Sequence, residues 1–159
     1  MLCDSTTGVF TLGATQCAPV AFLTAGIGAI PAWAHLQQLH ADGQAARVRG
    51  ALHVDRSVEH DVFRTGFADL AADSTATYTR MAYYTDNKSG RPAARRSWTR
   101  ERAACRGWHN AVTAFVERAG TDTHYVLCGP IGFMRKAASL AKNAGVGNIH
   151  YEVFGTGSM

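Results

Sequence analysis

Gly26 and Gly28, within Thr24-Ala-Gly-Ile-Gly-Ala-Ile-Pro31, stand where a continuous apolar run gives way to a helix-like segment. Gly129, within Leu127-Cys-Gly-Pro-Ile-Gly-Phe-Met134, marks a second such junction near the other end of the 159-residue chain. A strand that ends in a tight glycine bend and opens a helix can hold a phosphate without a charged side chain. The leading amides of the helix have no intrahelical partner, and the helix dipole adds positive potential there. Two such bends in one small domain point to a dinucleotide lying across the ends of a parallel sheet. Thr24, Ala25, Gly26, Ile27, Gly28 and Pro31 then form one wall of the site, with Cys128, Gly129 and Pro130 opposite. The glycines let the chain turn sharply and bring N–H groups against the pyrophosphate, where a side chain would block the approach. Pro31 occupies the third position of Gly-x-Gly-x-x-Gly, so that fingerprint is not met. A plain strand-to-helix turn is the alternative reading.

Asp55 and Arg56 follow the second apolar run, where adenosine recognition usually lies. An acid there accepts from a ribose 2′-hydroxyl and favours NADH, whereas a guanidinium welcomes the 2′-phosphate of NADPH. The adjacent pair leaves that choice open, and a solvated turn is the plainer account. Thr24 either bonds a phosphate or ribose or merely caps its turn. Phe133 and Met134 read first as core residues of the last helix and second as nucleotide contacts.

Other residue types bound the function by what they lack. Cys3, Cys17, Cys105 and Cys128 are far apart with no Cys-x-x-Cys pair, which fits a reducing, cytoplasmic setting. His35 and His40 diverge on a helix, and His53, His60, His109, His124 and His150 show no ligand spacing, so no metal is expected. The formal charge of +4 suits an anionic small molecule. Its positive charges are scattered except for Arg91, Arg95, Arg96, Arg100, Arg102 and Arg106. That run reads as a solvated loop, so nucleic acid is not an expected partner. No apolar run is long enough to span a membrane, and no basic-then-apolar leader opens the chain. With 47% hydrophobic and 18% charged residues, a chain of this length forms one globular domain.

The elements that must carry these bends follow from periodicity. Residues 18–24 are continuously apolar, as a strand buried on both faces should be. A helix follows, with Trp33, Leu36 and Leu39 at helical spacing and Gly43 at its close. Residues 47–54 read as the second strand, with Gly50 as a bulge or a point of close approach. Ser57 is the expected N-cap of a helix carrying Val58, Val62, Phe63, Phe67 and Leu70. Residues 75–85 alternate as the third strand and 86–96 form a loop. Residues 108–118 are helical, 123–128 the fourth strand, 130–144 a helix and 148–154 the fifth strand. Alternating strands and helices imply an α/β, doubly wound parallel sheet, with both glycine turns on one rim.

Thr24 to Pro31, then Tyr125-Val-Leu-Cys-Gly-Pro-Ile-Gly-Phe-Met134, then Ile149-His-Tyr-Glu-Val-Phe-Gly155 occur in a familiar order. Together they resemble the NAD(P)H-binding domain of the ferredoxin–NADP reductase superfamily. The Cys-Gly-Pro with Gly-Phe-Met, and the His-Tyr-Glu-Val-Phe-Gly ending, are most similar to the reductase part of flavohaemoglobins, the nitric oxide dioxygenases. The resemblance covers residues 8–155, with 55–120 matched by layout rather than motif. It implies a Rossmann-like, five-stranded parallel sheet that donates hydride from NADH or NADPH to FAD. Whole proteins of this type carry a haem globin, an FAD-binding β-barrel and then this domain. Electrons pass through FAD to haem, which with oxygen converts nitric oxide to nitrate.

Gly8-Val-Phe-Thr-Leu12 looks like the last strand of that barrel, making 1–17 a barrel remnant with linker and 18–159 the nucleotide-binding domain. The barrel's flavin signature, Arg-x-Tyr-Ser/Thr, is absent, and Arg80-Met-Ala-Tyr83 has the wrong spacing. The chain is therefore expected to be a fragment, a split subunit or a truncated product, with FAD on an absent or partner domain and haem only in a full-length relative. By the same resemblance Cys128 lies beside the reactive nicotinamide carbon, Phe154 packs near the flavin ring, and Glu152 supports charge balance there. Plainer readings are a buried cysteine, an exposed acid and an ordinary strand-end aromatic. The alternatives in function are the reductase component of an oxygenase, a ferredoxin reductase, or a nucleotide-binding module without turnover.

Overall fold

The structure, a computed structural model, describes residues 18–72, 78–86 and 107–153. The expected Gly8–Leu12 strand, the arginine run, Phe154, most of the 86–96 loop, residues 75–77 of the third strand, and Cys3, Cys17 and Cys105 lie outside these residues. Five strands form one parallel sheet: β1 (Val20–Ala25), β2 (Val48–Asp55), β3 (Thr79–Tyr84), β4 (His124–Cys128) and β5 (Ile149–Glu152). Their order is β3-β2-β1-β4-β5, so β1 is central and the winding reverses between β1 and β4. The α/β doubly wound sheet expected from alternating periodicities is the one that forms.

Every residue of β1 is buried, as a strand covered on both faces requires. Phe22 and Val20 pack with Ala32, Leu36 and Leu39 of α1 (Ala29–Ala41) and Phe67 of α2 (Arg64–Ala72). Ala21, Leu23 and Ala25 face the other way, toward Val112 and Phe115 of α3 (Trp108–Ala119) and Met134 and Ala137 of α4 (Ile131–Asn143). Helix α1 ends as expected at Gly43: its amide bonds the His40 carbonyl and the Gln44 amide bonds that of Leu39, a Schellman pattern. At Gly50 both sequence expectations meet. The β1–β2 register skips Arg49, and a Cβ on Gly50 would stand 2.7 Å from the Phe115 ring.

The helix expected from Ser57 needs correction. Residues 58–63 run through turns and α2 begins only at Arg64. The Ser57 hydroxyl is engaged with Glu59 and His60 side chains, and Val62, 77% exposed, never joins the core. Asp61 explains the delay. Its carboxylate reaches across to β3, accepting from Arg80 Nη2 at 2.7 and 2.6 Å and from Tyr84 Oη at 2.8 Å. That anchor holds the chain out of helical path, and the Asp61 carbonyl then accepts from the Arg64 amide as the helix opens.

Candidate functional site

The two glycine turns meet. A short 3-10 turn, Gly26–Gly28, links β1 to α1, and Gly129 and Pro130 link β4 to α4. Gly26 has φ of +53°, a conformation that disfavours any residue with a Cβ, and the space above it is open. Gly28 is needed for another reason. A Cβ there would lie 2.1 Å from the Cys128 carbonyl oxygen and 2.7 Å from the Gly129 nitrogen. A Cβ on Gly129 would in turn stand 3.0 Å from the Ala25 carbonyl oxygen. The turns therefore touch backbone to backbone where the sheet winding reverses, the position at which such sheets bind ligands. Pro31 is buried in the first turn of α1, while Ile27 is exposed on the rim and Pro130 caps α4.

Beneath these turns, strand register assembles a polar rung. His53, Thr24, Cys128 and Glu152 are successive cross-strand partners on β2, β1, β4 and β5. Alternation places them on the α1 face, one step beyond the Phe22–Val126 pair of the core. Sequence separation hides this row, and it includes a histidine that spacing alone gave no role.

Each member of the rung has a defined partner. The Thr24 hydroxyl lies 2.9 Å from His53 Nδ1, and His53 Nε2 lies 3.1 Å from Asp55 Oδ2. Burial holds the His53 imidazole below its ordinary range, outweighing the opposing charges of Asp61 and Asp55. A neutral ring facing a carboxylate, which only accepts, must carry its proton on Nε2. Nδ1 then accepts from Thr24, whose hydroxyl is turned into the sheet. The other Asp55 oxygen accepts from the Arg56 amide at 2.7 Å, while the Arg56 side chain is exposed.

Cys128 is 1% exposed and its thiol donates to the Glu152 carbonyl at 3.2 Å. Burial, with the nearby Glu152 charge, pushes that thiol up to about 12. It stays protonated and serves as a small donor, not a nucleophile. Alkylation of the folded chain at pH 8 should therefore modify Cys128 about a thousandfold more slowly than an ordinary thiol. Peptide mapping checks this, and labelling at the ordinary rate would mean that the wall carries a thiolate. The Glu152 carboxylate lies 3.2 Å from His35 Nε2, and the His35 ring stacks over Phe22. Helix α1 thus closes over the β5 end of the rung, a contact no local pattern announces. Phe133 and Met134 lie in the core between α3 and the sheet, on the opposite face.

No protein-family model matches the chain. Solved structures do. The flavohaemoglobin-like FAD/NAD-binding domain of nitric oxide dioxygenase from Vibrio cholerae O1 biovar El Tor is 27% identical, with a TM-score of 0.62 over 87% of this chain. A flavohaemoglobin from Malassezia yamatoensis, solved with bound FAD and haem, is 22% identical, with a TM-score of 0.64 over the same share. The chain spans 52% of the first protein and 32% of the second. Among the described residues, no helix is long and apolar enough to cross a membrane. With its sheet order and its paired glycine turns, the chain has the fold of the NAD-binding, ferredoxin reductase-like domains that these neighbours contain.

Proposed function

We propose that the chain binds a nicotinamide dinucleotide across its two glycine turns and presents it to FAD carried by another domain. The observation that carries this reading is the backbone contact of the Gly28 and Cys128–Gly129 segments at the winding switch, with open space kept above Gly26. The leading amides of the Gly26–Gly28 turn and of α4 would hold the pyrophosphate. Asp55 and Arg56 lie at the adenosine end, and Cys128, Glu152 and Phe154 are assigned to the nicotinamide end. The bound coenzyme supplies hydride; the chain binds it, orients it and shields it from water. Likeness to the Vibrio and Malassezia proteins extends the proposal to electron transfer of the nitric oxide dioxygenase kind, with a haem globin beyond the flavin.

Calorimetric titration of the whole chain tests the first part. NADH or NADPH is expected to bind and to raise the melting temperature. Failure of both coenzymes overturns the assignment. The second part is read from NADH oxidation with and without an added FAD-bearing barrel. Stimulation is expected, and binding without stimulation favours a module that has lost turnover.

A further inference from the structure

We infer that His53 is a positioning residue that fixes the Asp55 carboxylate to receive the two hydroxyls of an unphosphorylated adenosine ribose, making the chain selective for NADH over NADPH. This rests on the coenzyme reading above and goes beyond it, because the adjacent Asp55 and Arg56 side chains by themselves point to opposite coenzymes.

The hydrogen bonds run in one direction. With its proton on Nε2, His53 donates to Asp55 Oδ2, and Thr24 donates to His53 Nδ1 at 2.9 Å in preference to the Leu52 carbonyl at 3.4 Å. The Arg56 amide donates to Asp55 Oδ1. Among the described residues, each carboxylate oxygen therefore has one lone-pair site engaged and one remaining. Two remaining acceptors on one rigid carboxylate match a vicinal diol. The same fixed anion opposes a 2′-phosphate, so one group attracts the first coenzyme and repels the second.

His53 makes the carboxylate rigid. A free aspartate at a strand end turns about its side-chain bonds and loses entropy when it meets a ligand, whereas Asp55 is already held from both sides. The His53 ring is buried beside Thr24, so its own orientation is set by packing and by the hydroxyl at Nδ1. Arg56 supplies its amide to Asp55 and leaves its guanidinium exposed.

The test compares calorimetric affinities of the whole chain for NADH and NADPH. Wild type is expected to prefer NADH. His53→Phe keeps the ring volume but cannot donate, and is expected to reduce that preference about tenfold. His53→Gln places an amide donor near the position of Nε2 and is expected to restore it. A purely structural role would lower the melting temperature of both variants and leave the ratio of affinities unchanged. Histidine nitrogen NMR on the wild type keeps the inference falsifiable if His53→Phe does not fold. The neutral Nε2–H tautomer is expected at neutral pH, and its signal should shift on adding NADH. An Nδ1–H tautomer, a signal indifferent to NADH, or an unchanged preference in folded His53→Phe overturns the inference while leaving coenzyme binding intact. A wild-type chain that binds neither coenzyme overturns both proposals.

Discussion

Gly28→Ala is expected to cost the fold roughly 3 kcal/mol, near the top of the range for overpacking, and to lower the melting temperature by about 10 °C. The added methyl would stand 2.1 Å from a backbone carbonyl oxygen and 2.4 Å from its carbon, and neither can rotate aside as a side chain would. One of the two turns must move, and with it the end of β1 or β4. Controls separate this clash from generic loss of glycine. Gly132 lies in α4 with nothing within reach of a Cβ, so Gly132→Ala should be neutral or mildly stabilising. Gly26→Ala meets no atom but must hold φ of +53°, a strain of about 1–2 kcal/mol. The expected order of melting temperatures is therefore Gly132→Ala, Gly26→Ala, Gly28→Ala, from highest to lowest.

The same displacement should weaken dinucleotide binding more than about tenfold, because amides shifted by a fraction of an ångström lose their aim. Gly28 thus limits binding through the meeting of the two turns, as well as by leaving room for a phosphate. A Gly28→Ala protein that melts and binds like wild type would mean that the turns do not touch.

How much of this was legible in the sequence depends on the range over which each signal acts. The strands declared themselves because β1 and β4 are dominated by apolar residues, and alternation with helices left few topologies to consider. Both turns were visible because glycine at a strand end has a local meaning. The rung was not visible. That Thr24 lies beside His53 and Cys128 beside Glu152 depends on register between strands distant in the chain, and no spacing rule reaches that far. Neither His53, which has no ligand spacing, nor His35, which diverges from His40 on its helix, carries a local signal, although each holds an acid of the candidate site. Ser57 erred in the opposite direction: its local capping signal is sound, and the tertiary anchor from Asp61 to Arg80 and Tyr84 of β3 overrode it.

That anchor carries the other large expected effect. The Asp61 side chain is 0% exposed and is the common acceptor for Arg80 and Tyr84, while the Arg80 guanidinium lies 4.8 Å from the centre of the Phe67 ring. Asp61→Ala removes the anion and strands a largely buried cation together with a phenol hydroxyl. Breaking such a pair from one side costs about 3–5 kcal/mol, because the remaining charge is left without compensation. At the scale of this domain that is a loss of about 10 °C or more in melting temperature. Replacing both partners tells what the pair itself contributes. Asp61→Leu with Arg80→Met fills a similar volume with apolar atoms and removes the stranded charge, so the double variant should recover most of the loss. Tyr84 limits that recovery, since its hydroxyl loses Asp61 in either case. Hydrogen exchange adds a spatial readout: in Asp61→Ala the first turn of α2 and the β3 amides should lose protection before β1 and β4 do. A single variant as stable as wild type would show that the delayed start of α2 comes from something other than this carboxylate.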